Sequence, residues 1–436
     1  MTTNIIKIIK HSSMLMAFGA LMLPGISMAQ QYHDPGLLQK SIDRKPVDFQ
    51  APGVRLGSFV LNPGAELAYE NNDNIFYLEN SEISDSIIHI RPWVRLNSDW
   101  SRHELNLNFY ADIARYNDFG SEDYEDWVAS LDGRVDVRRG SDFNYGASYK
   151  SLHERRGSPD DVGGIKPTEF TTTDVNLGYS HNFNRLTAAL DYVRGDMDYD
   201  DNINGDGDIL NNQDRDRTRD ELALRLDYEL SGPRGVFFRA AGNNLDYDQK
   251  IDDQGFARSS DGYSLQGGMS WDRTGLLVGD VYVEYIKQEY DDLRLVDVDG
   301  WGLGASLDWT PTELTNVNLL VRNGPQETTQ GSTSGYFSSQ YAVRLQHELR
   351  RNWLLNARVS YTDNDYETSD LVAVPLADDD GPLEDTEVTR AGLGLSYLFN
   401  RNLYLSGGYI YEKQSANVSS FDYRINRWFI TFGGEL

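Results

Sequence analysis

The 436-residue sequence has no cysteine, which excludes disulfide frameworks, thiolate zinc sites and a cysteine nucleophile. It also lacks any run of about 20 consecutive apolar residues, the length a membrane-spanning helix needs. With a mean hydropathy of −0.55, a polytopic helical membrane protein is excluded. Basic residues are scarce: 40 Lys+Arg stand against 68 Asp+Glu, for a formal charge of −28. Sequence-independent nucleic-acid binding needs a Lys/Arg surplus for phosphate contacts, so no nucleic acid is expected as a partner. Proline is low at 13, whereas Gly reaches 39 and Tyr 26. That mixture suits twisted β-structure rather than disorder.

Catalytic motifs are missing too. The chain holds no Gly-x-Ser-x-Gly, His-Glu-x-x-His, P-loop or Gly-x-Gly-x-x-Gly, and no enzyme is expected. Its histidines after residue 30, namely His33, His89, His103, His153, His181 and His347, are scattered. Ser180 and His181 are adjacent, and neighbours on a strand point to opposite faces, which makes them a poor dyad.

At the N-terminus, Lys7 and Lys10 precede an apolar stretch from Met14 to Leu23, then Ser27-Met28-Ala29. This is the n-region, h-region and small-residue pattern of a secretory signal, and cleavage is expected after Ala29. Residues 30–58 include Pro35-Gly36, Pro46 and Pro52-Gly53 and show no strong alternation. They read as a periplasmic segment, either a linker or a partial plug folded back into a lumen.

From residue 59 onward one pattern recurs: about ten residues of apolar and polar alternation, a short polar turn, a second alternating run, then a longer acidic connection. Period-2 alternation is the strand signal. Leu105, Leu107, Phe109, Ala111 and Ile113 fall on one face, with Glu104, Asn106, Asn108, Tyr110 and Asp112 on the other. Eight short turns separate nine longer connections, which implies 18 strands with both ends on the short-turn side; soft boundaries leave 16 as the alternative count. The plan is that of an all-β transmembrane antiparallel β-barrel over residues 59–436, with short periplasmic turns and long acidic extracellular loops. Aromatics near strand ends, among them Trp93, Trp127, Tyr179, Trp301, Trp309 and Trp353, fit interfacial girdles.

The register names lumen-lining candidates of mixed sign: Asp132, Arg134 and Asp136 on one strand, Arg225, Asp227 and Glu229 on another, Arg344 and Glu348 on a third. Rings of charge in a pore set its selectivity. The bland alternative is a solvated wall whose ion pairs merely hold the barrel open. Residues 70–86, 195–216 and 365–387 hold 22 of the 68 carboxylates, and such loops would meet anionic lipopolysaccharide through divalent cations. Asp200, Asn202, Asn204 and Gly205 occupy positions one, three, five and six of a calcium-loop pattern. Position twelve is Asn211, where the pattern needs a bidentate Glu, so a Ca²⁺ site and a solvated acidic loop stand side by side.

Several segments are familiar as a group. Gly57-Ser58-Phe59, Tyr69 to Phe76, Arg91-Pro92, Ser98 to His103, Gly157 to Gly164 with Pro167-Thr168-Glu169, Asp214 to Arg217, Gly255-Phe256, Asp261-Gly262-Tyr263 and Asn400 to Leu403 together resemble the putative β-barrel porin 2 family. The resemblance runs over about residues 54–436, and Gly157 to Glu169 is its most specific part. The end of the chain, where Trp428, Ile430, Phe432, Gly434 and Leu436 alternate, resembles the C-terminal strand by which outer-membrane barrels are recognised for insertion, with Leu where an aromatic is usual. The family resemblance implies an outer-membrane protein that accompanies exopolysaccharide or capsule export, as a conduit or an accessory to periplasmic export partners. It brings no catalytic residues. A general diffusion porin for small solutes and a closed structural or adhesive barrel are the other readings, and oligomeric state is left open.

Overall fold

A computed structural model describes residues 45–231, 234–271, 276–329, 333–368 and 382–436. The expected signal sequence, residues 1–29, lies outside the described residues, as does most of the acidic connection 365–387. Among the described residues there are 18 long antiparallel strands, from Phe59–Asn72 to Tyr423–Glu435. Each pairs with its sequence neighbours, and the first pairs with the last from Gly64↔Glu435 to Asn72↔Arg427. The sheet is therefore closed. Closure is what lets β-structure sit in hydrocarbon, because an open edge would expose unpaired N–H and C=O groups.

The pleat sorts side chains as the alternation requires. Leu67, Ile90, Leu107, Phe109, Leu177, Leu224, Val283, Leu303, Val359 and Ile430 are exposed on the outer wall. The alternate positions of these strands and their neighbours turn inward and are buried although polar, as at Glu66, Glu70, His89, Arg91, Asp112, Glu221, Arg239, Glu284 and Glu412. This inversion of a soluble protein's pattern is the mark of a lipid-facing band around a polar interior. Outward aromatics gather near the ends: Phe109, Trp127 and Tyr149 form one row, with Trp127 and Tyr149 centroids 5.2 Å apart. Trp353, Tyr397 and Phe399 form another at the opposite end. Trp93 departs from the girdle expectation, since it points into the lumen and lies over Gly64, which faces it in the register. A Cβ at Gly64 would come within 2.2 Å of that indole, so the glycine makes the space for the ring.

Short turns cluster at one end, as at Arg138–Ser141 and Arg350–Trp353, and the longer connections at the other. Three small features escape the alternation reading. Val54–Leu56 doubles back on Phe59–Leu61 through Gly57 at φ 61°. Val47–Phe49 forms one 3₁₀ turn. Asn202–Ile203 and Ile209–Leu210 form a two-rung hairpin within an outer loop.

Candidate functional site: the barrel lumen

All eight lumen-lining candidates occupy inward positions. Arg225 is held bidentately by Asp227 at 2.8–3.1 Å and reaches Asp280, three strands away, at 2.9 Å. Its guanidinium also lies 4.0 Å from the Phe237 ring centre, where the ring face attracts a cation. Arg134 donates to Asp136 at 2.9 Å, and Asp132 accepts from Asn106 at 2.8 Å. Glu229 and Glu348 sit toward the periplasmic ends of their strands. Arg344 faces Arg358 directly across the strand pair.

What sequence reasoning missed is the connection between Ser141–His153 and Glu169–Asn182, residues 154–168. It folds across the outer mouth. Arg155 reaches the wall at Glu412, donating to it at 2.9 Å and to the Tyr77 hydroxyl at 2.7 and 3.0 Å. Glu412 is fully buried and also binds Arg390 at 3.1 Å and the Tyr423 hydroxyl at 2.9 Å, with Arg427 at 3.5 Å. Arg156 forks onto Glu122 at 2.7 and 2.8 Å. Glu154 takes both terminal nitrogens of Arg215 at 2.7 and 2.9 Å. On the far side, Asp160 accepts from the Thr328 hydroxyl at 2.6 Å and the Thr329 amide at 3.2 Å. The segment starts at the fifth strand, Thr328 follows the thirteenth, and Glu412 lies on the seventeenth. Three well-separated points on the wall therefore hold one loop, which places it across the opening. Bidentate guanidinium–carboxylate pairs are the strong, geometry-fixing kind of charged contact. Gly157 fits this arrangement because a Cβ there would lie 2.4 Å from the Tyr77 ring. The only sequence signal was that this stretch carries the most specific part of the family resemblance.

Burial of the loop acids shifts their titration. Desolvation raises Asp161 to about 6, against the pull of Arg156 at 3.8 Å. Desolvation raises Asp160 as well, against the pull of Arg215.

The calcium-loop residues are placed as follows. Asn202 is buried, donates to the Lys166 carbonyl at 2.8 Å and Thr168 Oγ1 at 3.1 Å, and accepts from the Ile203 amide. Asn204 Oδ1 accepts the amides of Asp206 and Asp208. The Asp200 carbonyl accepts from Asn212. Asn202 thus fastens the 200–216 loop onto the 154–168 loop, and the Asn202 and Asn204 side chains are bonded to separate partners. Among the described residues, no group of three or more acidic or histidine side chains is placed to hold a metal. His181 bonds to Ser141 across the strand pair, while the Ser180 hydroxyl donates to Asp142.

At the periplasmic mouth, Lys45 lies 2.6 Å from Glu435 and 4.4 Å from the Tyr404 ring centre. Phe49 packs on the inward cluster of Leu354, Leu398 and Tyr404. Asp48 pairs with Arg351, whose guanidinium holds that carboxyl below the usual range.

The chain is similar, at low identity, to several solved structures. Among solved structures from Pseudomonas aeruginosa, the chain is similar to OccK5 (OpdH), at 12% identity and a TM-score of 0.42 over 87% of this chain and 99% of that one. It is similar to OpdO at 14% identity and 0.40, over 87% and 97%. It is similar to the siderophore receptor PirA at 8% identity and 0.42, over 86% and 80%. No curated protein matches the sequence. The sequence does match one family over residues 45–433, nearly all of the barrel and the segment before it. The protein is an outer-membrane β-barrel of porin type, and the chain belongs to the family described as Putative beta-barrel porin 2.

Proposed function

We propose that the protein is a gated hydrophilic passage across the outer membrane, serving exopolysaccharide or capsular-polysaccharide export as its conduit or accessory. The observation that carries this reading is the lumen wall. Its inward positions are polar, with Asn144, Thr172, Ser264, Gln266, Ser338 and Asn364 buried on that face and the less buried Asn318 and Gln340 beside them, the donor and acceptor types that hydroxyl-rich chains exchange for water. An 18-stranded closed sheet is wide enough for an aqueous lumen unless something fills it. The 154–168 loop is that filler at the outer mouth, and polar contacts rather than covalent bonds hold it, so it can swing aside. The link to polysaccharide comes from the family resemblance. Periplasmic export partners would meet the end of the barrel where Lys45 to Phe49 lie.

A general diffusion porin is the second reading, favoured by the same loop, because a fixed loop across the mouth narrows the aperture to small solutes. Single-channel conductance in a planar bilayer, with and without neutral and acidic oligosaccharides, separates the two. Steps that an oligosaccharide blocks support the export reading; steps indifferent to sugars support the diffusion porin. Absence of steps from verified folded barrel would favour a closed structural or adhesive protein.

A further inference from the structure

We propose that the seam between the twelfth and thirteenth strands is a lateral binding site for an acyl-bearing glycolipid, whose chain lies on the outer wall while its hydroxyl-rich head reaches the lumen. The head rests on the saccharide-passage reading and deepens it; the seat of the chain does not depend on that reading.

The twelfth strand is Val298–Thr312 and the thirteenth Thr315–Glu327. Their rungs run from Thr312↔Thr315 up to Ala305↔Val321 and stop there. Above that point Val298 to Gly304 still pair with the eleventh strand, Leu277–Tyr290. Arg322 to Glu327 still pair with the fourteenth, Thr333–Arg350. The two strands have parted, and the hairpin of the thirteenth and fourteenth has passed to the lumen side. Val321 opposes the lipid-exposed Tyr341, so Asn323, two residues on, holds an outward position of its strand. Asn323 is nevertheless only 5% exposed, and its Cβ lies 2.8 Å from where a Cβ on Gly302 would stand. Gly302 faces the lumen, between the outward Trp301 and Leu303 and opposite the buried Glu284. The Phe337 ring covers Gly300 in the same way, 3.1 Å from its Cβ position. The hairpin therefore overlaps the inner face of the twelfth strand. Pro325 suits the parted edge, since it has no N–H to give to a rung.

The parted stretch reaches into the membrane. Trp301 stands in a row with Tyr285 and Tyr263, with successive ring centres 5.2 and 6.1 Å apart, as at headgroup level. Gly304 is three residues further in, about 10 Å deeper. Backbone left unpaired at such depth persists only where protein or a polar cavity takes it up. On the lipid side the lip is bare: Trp301 and Leu303 are 74% and 64% exposed, more than any other described apolar side chain of the 18 strands. From Trp301 an apolar groove of about 590 Å³ runs along the wall past Tyr285, Val283, Leu265 and Gly267 to Phe238. Gly267 makes its floor, for nothing lies within 4 Å of where its Cβ would be.

On the lumen side two acceptors have no hydrogen-bond partner among the described residues: Asn323 Oδ1, which lies over Gly302, and Glu284 Oε1, on the residue facing Gly302. Both side chains are more than nine-tenths buried. Their other polar atoms are used, since Asn323 donates to Ser339 Oγ at 2.7 Å and Glu284 Oε2 accepts from Gln266 at 3.0 Å. Bare buried acceptors require donors, which sugar hydroxyls supply. An apolar groove outside and bare acceptors inside, joined at a parted seam, match a molecule with an acyl chain at one end and hydroxyls at the other. A second copy of the barrel would cover the groove and leave the acceptors unmet.

The test uses the barrel folded into phosphatidylethanolamine–phosphatidylglycerol vesicles, with folding checked by heat-modifiable migration. The probe is dodecyl maltotrioside with a photoreactive diazirine in its chain, beside dodecanoic acid carrying the same group, and labelled residues are mapped by peptide mass spectrometry. The glycoside is expected to label Phe238, Val283 and Leu303 several-fold above the rest of the wall, whereas the acid labels the wall evenly. Glycoside labelling spread evenly around the wall would overturn the site. Gly267→Leu fills the groove, where a side chain has room, and is expected to remove the local excess; an excess that survives would overturn the groove as the seat of the chain. Should that variant not fold, Leu265→Trp fills the same groove and is read the same way. Acid that labels the seam as strongly as the glycoside would overturn the sugar head. Local glycoside labelling in a barrel whose conductance plain maltohexaose does not block would overturn the saccharide passage and leave the seam site standing.

Discussion

A leucine in lipid and a glutamate beneath four donors test opposite walls of the barrel. Leu107 is 39% exposed on the outer face, so Leu107→Arg sets a charge against hydrocarbon at a cost of about 2–4 kcal/mol. Reduced heat-modifiable barrel in a refolding assay is the expected outcome; migration like the wild type would mean that the two faces are exchanged. Glu412 is fully buried among Arg155, Arg390, Arg427 and Tyr423. Glu412→Gln leaves three guanidiniums without their shared carboxylate, and breaking a buried pair this way costs about 3–5 kcal/mol. A lower urea midpoint with the barrel still formed is expected. These positions differ in how legible they were. Leu107 follows from alternation alone, because period 2 fixes its face once the strand is recognised. Glu412 gave no signal, since its partner Arg155 lies 257 residues away and the two meet only through closure of the sheet and folding of a loop.

The loops behave as one interlocked element. Ile165 donates its amide to the Ile203 carbonyl at 2.8 Å, and Asn202 holds Lys166 and Thr168. Asn202→Ala is therefore expected to leave the barrel assembled while the 154–168 segment becomes several-fold more sensitive to protease. Unchanged protection would show that this fastening is dispensable. The loop also carries a pH dependence whose sign follows from linkage. Burial raises Asp161 to about 6 in the closed arrangement, whereas a solvated aspartate titrates near 3.9. The closed form then binds the proton more tightly, so its added stability is full below the solvated value and is lost as pH rises through about 6. Open probability in a bilayer should fall several-fold between pH 7.5 and 5, and Asp161→Asn should flatten the profile; a rise on acidification would contradict the placement. Connection lengths were readable from the sequence because turn residues and acid runs punctuate the strands. The inward fold of 154–168 was not, because Arg and Asp in a loop look the same whether they face solvent or a buried partner.

For the molecule as a whole, strand number, closure and the polar interior describe a closed cylinder crossed at its outer mouth by residues 154–168. The count of 18 was accessible from the parity of short and long connections, and the pairing of Gly64 to Asn72 with Arg427 to Glu435 closes it. The crossing of the mouth by residues 154–168 was not accessible, because it needs the closure that brings Glu412 and Thr328 to the same loop. The central claim is that this lumen conducts and that residues 154–168 restrict it. Single-channel conductance of the folded protein beside a variant lacking residues 157–164 tests this most directly. Stable steps from the wild type and clearly larger steps from the variant are expected. Equal steps would contradict the gating role of the loop, and silence from both folded barrels would contradict the passage itself.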